Sequence, residues 1–453
     1  LSPREMHVLA VADTSFKRVL SGSFAAPATA SGTAALDGSA PYVQMVSAFS
    51  KIYVTDGRSY FQYDPNEGSN GTISDWSCTS YGRIPQRCRL LETWRGRMVL
   101  GRDPDDPSAW HMSRVFDPND WDNFPQNPSS ADAISARNSK AGGVPGVINT
   151  IIPYTDDLLI FGCDSSIWQL TGDPRAGGQL DLVTDAGGMA FGRPWCKDPT
   201  GRLWFFGAEG GLYVMSPSGG MVNVSVGRVG RGLQDIDLAA NYVQLVWNYL
   251  DEGVHIFVMP FAEQGASGYG TIKDHWFYDA RNNAFHRDRF GSATGDHIQP
   301  TASIAVNGDL FNDRVIMLGG EDGRVRRWGR DDAGNIPVDD EQTSATAVKA
   351  IDSYVTAGPL VPVQASYAAQ MSEFTAVLGE TQDGANYEFF ASDNAEKMGA
   401  AKASGSLHAG RNKAKLIRVA GDNVFIRMRN ASTGQRWAYE SGSLHMASGG
   451  PKR

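Results

Sequence analysis

The chain has few of the residues and spacings that usually mark chemistry. Its 453 residues include four cysteines, Cys78, Cys88, Cys163 and Cys196, with no CxxC pair, and eight scattered histidines with no HxxxH or HExxH pair. Zinc and iron centres need convergent ligands of these types, so no metal or cofactor is expected. Cys78 and Cys88 are spaced to close a loop, but Cys163 falls inside an apolar hairpin. Free, packed thiols acting as small hydrophobes are the expectation for all four. There is no G-x-S-x-G nucleophile elbow and no GxxxxGK[ST] phosphate loop. Gly187-Gly188, Gly219-Gly220 and Gly319-Gly320 read as turns, because none opens a predicted helix.

Charge is also sparse, at 20% of residues with a net charge of −9. That balance argues against a broad basic nucleic-acid surface, though not against a local basic strip. No apolar run approaches the ~20 residues of a membrane helix. No charged segment followed by an apolar one opens the chain, so no secretory signal is read.

What is abundant is turn chemistry and aromatic strands, with 51 glycines, 22 prolines and 11 tryptophans. The clearest stretch is Ile148 to Pro174. Leu158 to Phe161 is a continuous apolar run, as in a strand buried on both faces. Gly162 to Ser166 turn the chain, Ile167, Trp168 and Leu170 resume a strand, and Asp173-Pro174 stop it. The pattern recurs in KIYVTDGRSYFQYDP from Lys51, RMVLGRDPDDPSAWHMSRVF from Arg97, LWFFGAEGGLYVMSP from Leu203, Val254 to Asp279 with a Gly-rich insertion, and VIMLGGEDGRVRRW from Val315. The apolar starts Ile52, Met98, Leu158, Leu203, Val254 and Val315 fall roughly 45 to 60 residues apart, the period of a four-stranded propeller blade. Further strands are expected at Val147 to Tyr154, Tyr242 to Tyr249 and Ala302 to Val306. A lone blade cannot bury both faces, so stacked neighbours must.

The expectation is an all-β chain: N-terminal strands and linker over 1–40, a β-propeller of about six blades over 41–335, and a small β-sandwich-like domain over 336–453. A pair of sandwiches is the structural alternative to the propeller. In the first region Met6 to Ala12 and Phe16 to Leu20 read as strands, and Ser21 to Ala40 as a segment with little to bury. In the last, strands are read near Phe374 to Leu378, Tyr387 to Phe390, Lys415 to Val419, Val424 to Arg429 and Arg436 to Met446. Gly421-Asp422-Asn423 is read as a hairpin turn.

The sharpest enzymatic reading is glycoside hydrolysis, for which two carboxyl groups at a defined separation are needed. Asp105-Asp106, Asp156-Asp157 and Glu321-Asp322 are the candidates, with tryptophans as sugar platforms. The alternative for each is a solvent-facing turn carboxylate. CDSSIW and EDGRVRRW lack the Gly-Thr-Trp ending of sialidase repeats. The turn Asp103 to Asp106 offers clustered oxygens for calcium, but without EF-hand spacing. Arg324, Arg326, Arg327 and Arg330 alternate partly along a strand and are the candidate lumen or interface residues; ordinary solvated charges are the alternative.

Three phrases together carry a resemblance: SRVFDPNDWDNF at Ser113 to Phe124, IIPYTDDLLIFGCDSSIWQLTGDP at Ile151 to Pro174, and QRWAYESGSLHM at Gln435 to Met446. The combination resembles the tail tube (nozzle) proteins of short-tailed bacteriophages, of β-propeller type. It leaves 1–40 and most of 340–430 uncovered. The resemblance implies a structural, non-enzymatic virion protein assembled in the host cytoplasm. Such proteins form a ring, of six copies in that family, below the adaptor and portal. The ring extends the channel through which DNA passes without sequence recognition, and tail fibres or spikes dock on it; no membrane insertion is implied. A glycan-binding or glycan-degrading propeller on a virion is the alternative, and a peptide-binding host-side scaffold is a third.

Overall fold

The computed structural model describes the chain apart from residues 1–6, 13, 21–22, 41, 218, 262–272, 291–298, 307–313, 329–338, 345–346, 351, 362–366, 380–383, 394–397, 433–434, 436 and 452–453. It is all-β, built of many small antiparallel sheets, and divides into two compact units at Trp328/Gly329.

The first unit opens with a three-stranded sheet, β1 (Val8–Ala12), β2 (Ser15–Leu20) and β3 (Ser23–Ala25). A run of sheets made from consecutive strands follows. Sheet one contains β4 (Ala28–Thr29), β5 (Gln44–Ala48), β6 (Lys51–Thr55), β7 (Tyr60–Asp64) and β8 (Thr72–Asp75). Sheet two is β9 (Leu90–Trp94), β10 (Arg97–Gly101), β11 (Trp110–Met112) and β12 (Ile134–Ser135). Sheet three is β13 (Ile148–Thr155), β14 (Leu158–Cys163), β15 (Ile167–Thr171) and β16 (Gln179–Thr184). Sheet four is β17 (Trp195–Lys197), β18 (Leu203–Phe206), β19 (Leu212–Met215) and β20 (Met221–Asn223), followed by the short helix α1 (Gly230–Gln234). Sheet five is β21 (Asn241–Asn248), β22 (Gly253–Pro260), β23 (His275–Asp279) and β24 (Ala284–Asp288). Sheet six holds β25 (Pro300–Val306), β26 (Val315–Gly320) and β27 (Val325–Trp328).

The six hairpins expected from the repeat are β6–β7, β10–β11, β14–β15, β18–β19, β22–β23 and β26–β27. The first five supply inner strands of their sheets, whereas β27 of the sixth is an edge strand; along the inner strands, alternation sends side chains to both faces. Met98 and Leu100 pack back onto Tyr53 and Trp76 of sheet one, while Val99 packs forward onto Ile151, Leu159 and Phe161 of sheet three. Ile160 then joins Leu203 and Phe205 of sheet four. Trp204 and Phe206 join Val254 and Ile256 of sheet five, whose Phe257 and Met259 reach Ile316 and Leu318 of sheet six. Tyr42, just before β5, stands 5.1 Å from the ring of Tyr242 on sheet five.

The N-terminal stretch lies against sheet one. Residues 21–40 do more than link: β4 pairs in parallel with β8, and Leu36 is buried with Val54, Phe61 and Tyr63. The outer face of sheet one is also covered by Leu9, Val11 and Phe16 of the N-terminal sheet.

The second unit begins with the pair β28 (Asp339–Ser344) and β29 (Ala347–Ala350). Its main strands are β30 (Ser353–Leu360), β31 (Tyr367–Leu378), β32 (Ala385–Ser392), β33 (Ala401–Leu407), β34 (Gly410–Gly421), β35 (Asn423–Asn430) and β36 (Tyr439–Pro451). They form two sheets, ordered β30-β35-β32-β33 and β34-β31-β36, around one core of Met371, Phe374, Phe389, Leu416, Val419, Val424, Ile426 and Met428. The expected hairpin at Gly421-Asp422-Asn423 is not one. β34 pairs with β31, and β35 with β30 and β32, so the chain changes sheet at this point. The buried residues of β34 and β35 belong to one core, and placing them on opposed faces requires the strands to lie in different layers.

Candidate functional site

Of the four arginines singled out by sequence, Arg324, Arg326 and Arg327 lie at the β26–β27 turn and on β27, while Arg330 lies outside the described residues. Arg326 holds Asp322 with both terminal nitrogens, at 2.9 and 2.5 Å, and Arg324 Nε lies 3.7 Å from the same carboxylate. Burial pushes the Asp322 carboxyl up, but these arginines and the Arg324 backbone amide hold it below the usual range. This turn therefore carries its own counter-ion.

Three other candidate carboxylates are ion-paired with arginines of other loops. Asp157 pairs with Arg95 at 2.9 Å, Asp106 with Arg137 at 3.0 Å, and Asp105 with Arg87 at 3.5 Å. The tryptophans serve as packing: none of the 11 is exposed, and Trp168 lies against the same core as Cys163. All four thiols are free, and burial pushes Cys163 up to about 12.

The first strands of successive sheets are stitched by polar side chains, a device that the hairpin repeat does not reveal. The Gln44 amide donates to the Leu91 carbonyl at 2.8 Å and accepts from its N–H at 3.2 Å. Gln244 repeats this on Ser303, at 2.7 and 3.1 Å. Trp94 Nε1 donates to the Thr155 carbonyl at 2.8 Å, and Lys197 Nζ to the Pro153 and Tyr154 carbonyls at 2.6 Å each. These bonds satisfy backbone groups that an unpaired strand edge would leave open.

Glu92 sits among these groups, 3% exposed, with its Oε1 3.5 Å from Gln44 Nε2. Burial raises its pKa against the pull of Arg193 and Lys197. Beside it is an open hollow of about 320 Å³, lined by Thr93, Trp94, Arg95, Tyr154, Asp156 and Lys197 among others. Trp94 is 2% exposed, so its ring cannot serve there as a sugar platform. The SRVFDPNDWDNF phrase forms another knot. Arg114 reaches Asp132 at 2.8 Å, Trp121 packs near Trp76, and Pro118 accepts from both indoles, at 2.9 and 3.1 Å. Beneath it Arg97, 1% exposed, donates to the carbonyls of Ser113, Ser130, Ala131 and Asp132.

One cluster among the described residues has no adjacent ligand pair in sequence: Cys88 before β9, Asp103 after β10 and His111 within β11 converge. The hairpin register of β9 to β11 was the one signal that would have brought them together.

No protein-family model matches the chain, and no curated protein does. Among solved structures it is similar to the extracellular domain of a one component system from B. thetaiotaomicron, at 10% identity and TM-score 0.38. That match covers 66% of this chain, which spans only 34% of the other. It is also similar to an exo-beta-1,3-galactanase from Phanerochaete chrysosporium (6% identity, TM-score 0.28, 97% of this chain and 100% of that one). A third is apo AztD from Citrobacter koseri (9%, 0.32, 61% and 65%). Likeness at this level assigns no activity.

Proposed function

We propose that the chain is a structural tail tube (nozzle) subunit of a short-tailed bacteriophage. In this reading the six sheets of the first unit are the blades of a β-propeller. Copies of the chain assemble as a ring that extends the DNA ejection channel below portal and adaptor and offers its outer surface to fibres or spikes. The observation that carries the reading is how the family-like phrases are used. Arg114, Asp120, Trp121 and Asp132 form a cross-linked knot, and Trp168 and Cys163 pack into a core shared by two sheets. A wall needs such residues for rigidity. Neutralisation of Arg326 by Asp322 also suits a conduit, since strong phosphate contacts would hold passing DNA.

A glycan-binding propeller is the second reading, favoured by the open polar hollow beside Glu92 and Lys197. The buried tryptophans count against it, because stacking on sugar needs exposed ring faces. Mass photometry and electron microscopy of the purified chain, alone and with portal and adaptor, separate the two. The nozzle reading expects rings with a through-running lumen. A chain that stays monomeric with its partners and binds oligosaccharides on a glycan array overturns it.

A further inference from the structure

Sheet two gathers three donor atoms at one end. Cys88 precedes β9 and is fully buried, Asp103 follows β10, and His111 is the middle residue of β11. Pairing sets Leu90 opposite Gly101 and Leu100 opposite His111, and the Arg89 N–H donates to the Arg102 carbonyl at 3.4 Å. Arg102 takes φ +57°, a left-handed conformation uncommon for a residue with a side chain. The chain turns there, and Asp103 Oδ2 comes within 3.9 Å of His111 Nε2. A thiol sulfur, a carboxylate oxygen and an imidazole nitrogen thus all lie within 4.8 Å of one another.

The surroundings hold these groups in place: Cys88 Sγ has one long contact, 4.0 Å to the Gln86 carbonyl, and His111 has an open nitrogen. His111 Nε2 is buried without a hydrogen-bond partner, and 3.9 Å is too long for a bond to Asp103. A buried imidazole nitrogen in that condition calls for a ligand. Asp103 Oδ1 accepts the Asp105 N–H at 2.9 Å, which orients the carboxylate. Cys88 is fixed through its backbone: its N–H donates to Tyr60 Oη at 2.8 Å, and its carbonyl accepts from Thr55 Oγ1 at 2.8 Å. The nearby cations Arg87 and Arg137 are paired with Asp105 and Asp106.

We infer that Cys88, Asp103 and His111 form a zinc site, with water or the second Asp103 oxygen in the fourth position. Tetrahedral zinc with ordinary bond lengths needs donor separations of roughly 3.3–3.7 Å, so the widest pair closes by roughly 1.5 Å at most. A thiolate and an imidazole select zinc over calcium or magnesium. On binding, the Sγ–Zn bond replaces the S–H bond and the proton leaves to solvent. The ion would clip the entry of β9 to the β10–β11 turn. This assignment does not depend on the nozzle reading.

The test uses the full chain, stripped with chelator and titrated with Co²⁺ and then Zn²⁺. One equivalent is expected to give a thiolate-to-cobalt charge-transfer band that zinc displaces, and zinc to raise the melting temperature. Cys88→Ser removes the band, and Cys163→Ala keeps it. His111→Gln and Asp103→Asn, nearer the surface and expected to fold, weaken zinc binding by at least about tenfold. The assignment is overturned if the folded chain gives no such band, if the band survives Cys88→Ser, or if His111→Gln binds zinc as tightly as the parent.

Discussion

Polar groups run through the interior of the first unit. Glu92, Arg97, His255, His275, Gln299 and several aspartates are buried there, whereas among the described residues of the second unit Asn430 alone is a buried polar side chain. The contrast follows from how each unit is connected. The first stacks sheets of consecutive strands, so sheet edges meet one another and need polar partners. The second folds long strands into two layers around a single core, where apolar packing suffices. A row of stacked sheets is thus specified by hydrogen bonds at its junctions, and a two-layer unit by the shape of its core.

The strongest test of that contrast removes an equal volume from each interior. Phe161 and Phe389 are both fully buried, one between sheets two and three, the other between the layers of the second unit. Each Phe→Ala substitution should cost about 3–5 kcal/mol. All the tryptophans except Trp437 lie before residue 329, so tryptophan fluorescence in a denaturant titration reports mainly on the first unit. Phe161→Ala should shift the fluorescence midpoint strongly, and Phe389→Ala should shift far-ultraviolet circular dichroism more than fluorescence. Equal shifts by both probes in both variants would mean that the chain unfolds as one cooperative block.

The same difference in connectivity explains what could be read from sequence. Hairpins are local: Leu158 to Phe161, a turn and Ile167 to Leu170 announce their own pairing, and all six such pairs are present. Several partners in the second unit are distant, with Ser353 opposite Asn430 and Tyr367 opposite Pro451. No local pattern distinguishes a hairpin at Gly421 from a change of layer. The stitches by Gln44 and Gln244 and the Cys88–Asp103–His111 cluster were equally illegible, since each depends on register between strands and not on spacing along one.

A smaller effect should appear as a pH dependence confined to the first unit. His275 is fully buried; its Nδ1 accepts the Val258 N–H at 3.0 Å, so its Nε2 carries the proton facing Gln299 Oε1 at 3.1 Å. Burial, opposed by the Gln299 bond and nearby aspartates, lowers its pKa from 6.5 to about 4. Between those values the unfolded chain binds more protons than the folded one, so stability rises with pH across the window and is lost as pH falls from 6.5 towards 4. The full loss is on the order of 3 kcal/mol. Urea titrations at a series of pH values followed by fluorescence should show this slope, and His275→Asn should flatten it while lowering stability at pH 7. An unchanged slope in that variant would assign the acid sensitivity to other groups.

The smallest effect has the opposite sign. Glu92 is the buried carboxylate at the junction of sheets one and two, facing Gln44 and held near Arg193 and Lys197. Because burial raises its pKa, the folded chain keeps the proton at pH values where the unfolded chain has lost it. Stability therefore declines as pH rises from the ordinary glutamate value through the raised one. Glu92→Gln keeps the shape and the contact with Gln44 while removing the titration. It should leave stability unchanged near pH 4 and raise it at pH 7 by about 1 kcal/mol. A variant less stable at pH 7 would show that the ionised carboxylate is held by Arg193 and Lys197 strongly enough to repay its burial, making the junction an ion-paired lock. A more stable variant would mean that the chain retains a charged group at some cost to its own fold. That outcome would direct attention to the adjoining hollow, since carboxylates with raised pKa values concentrate at functional sites.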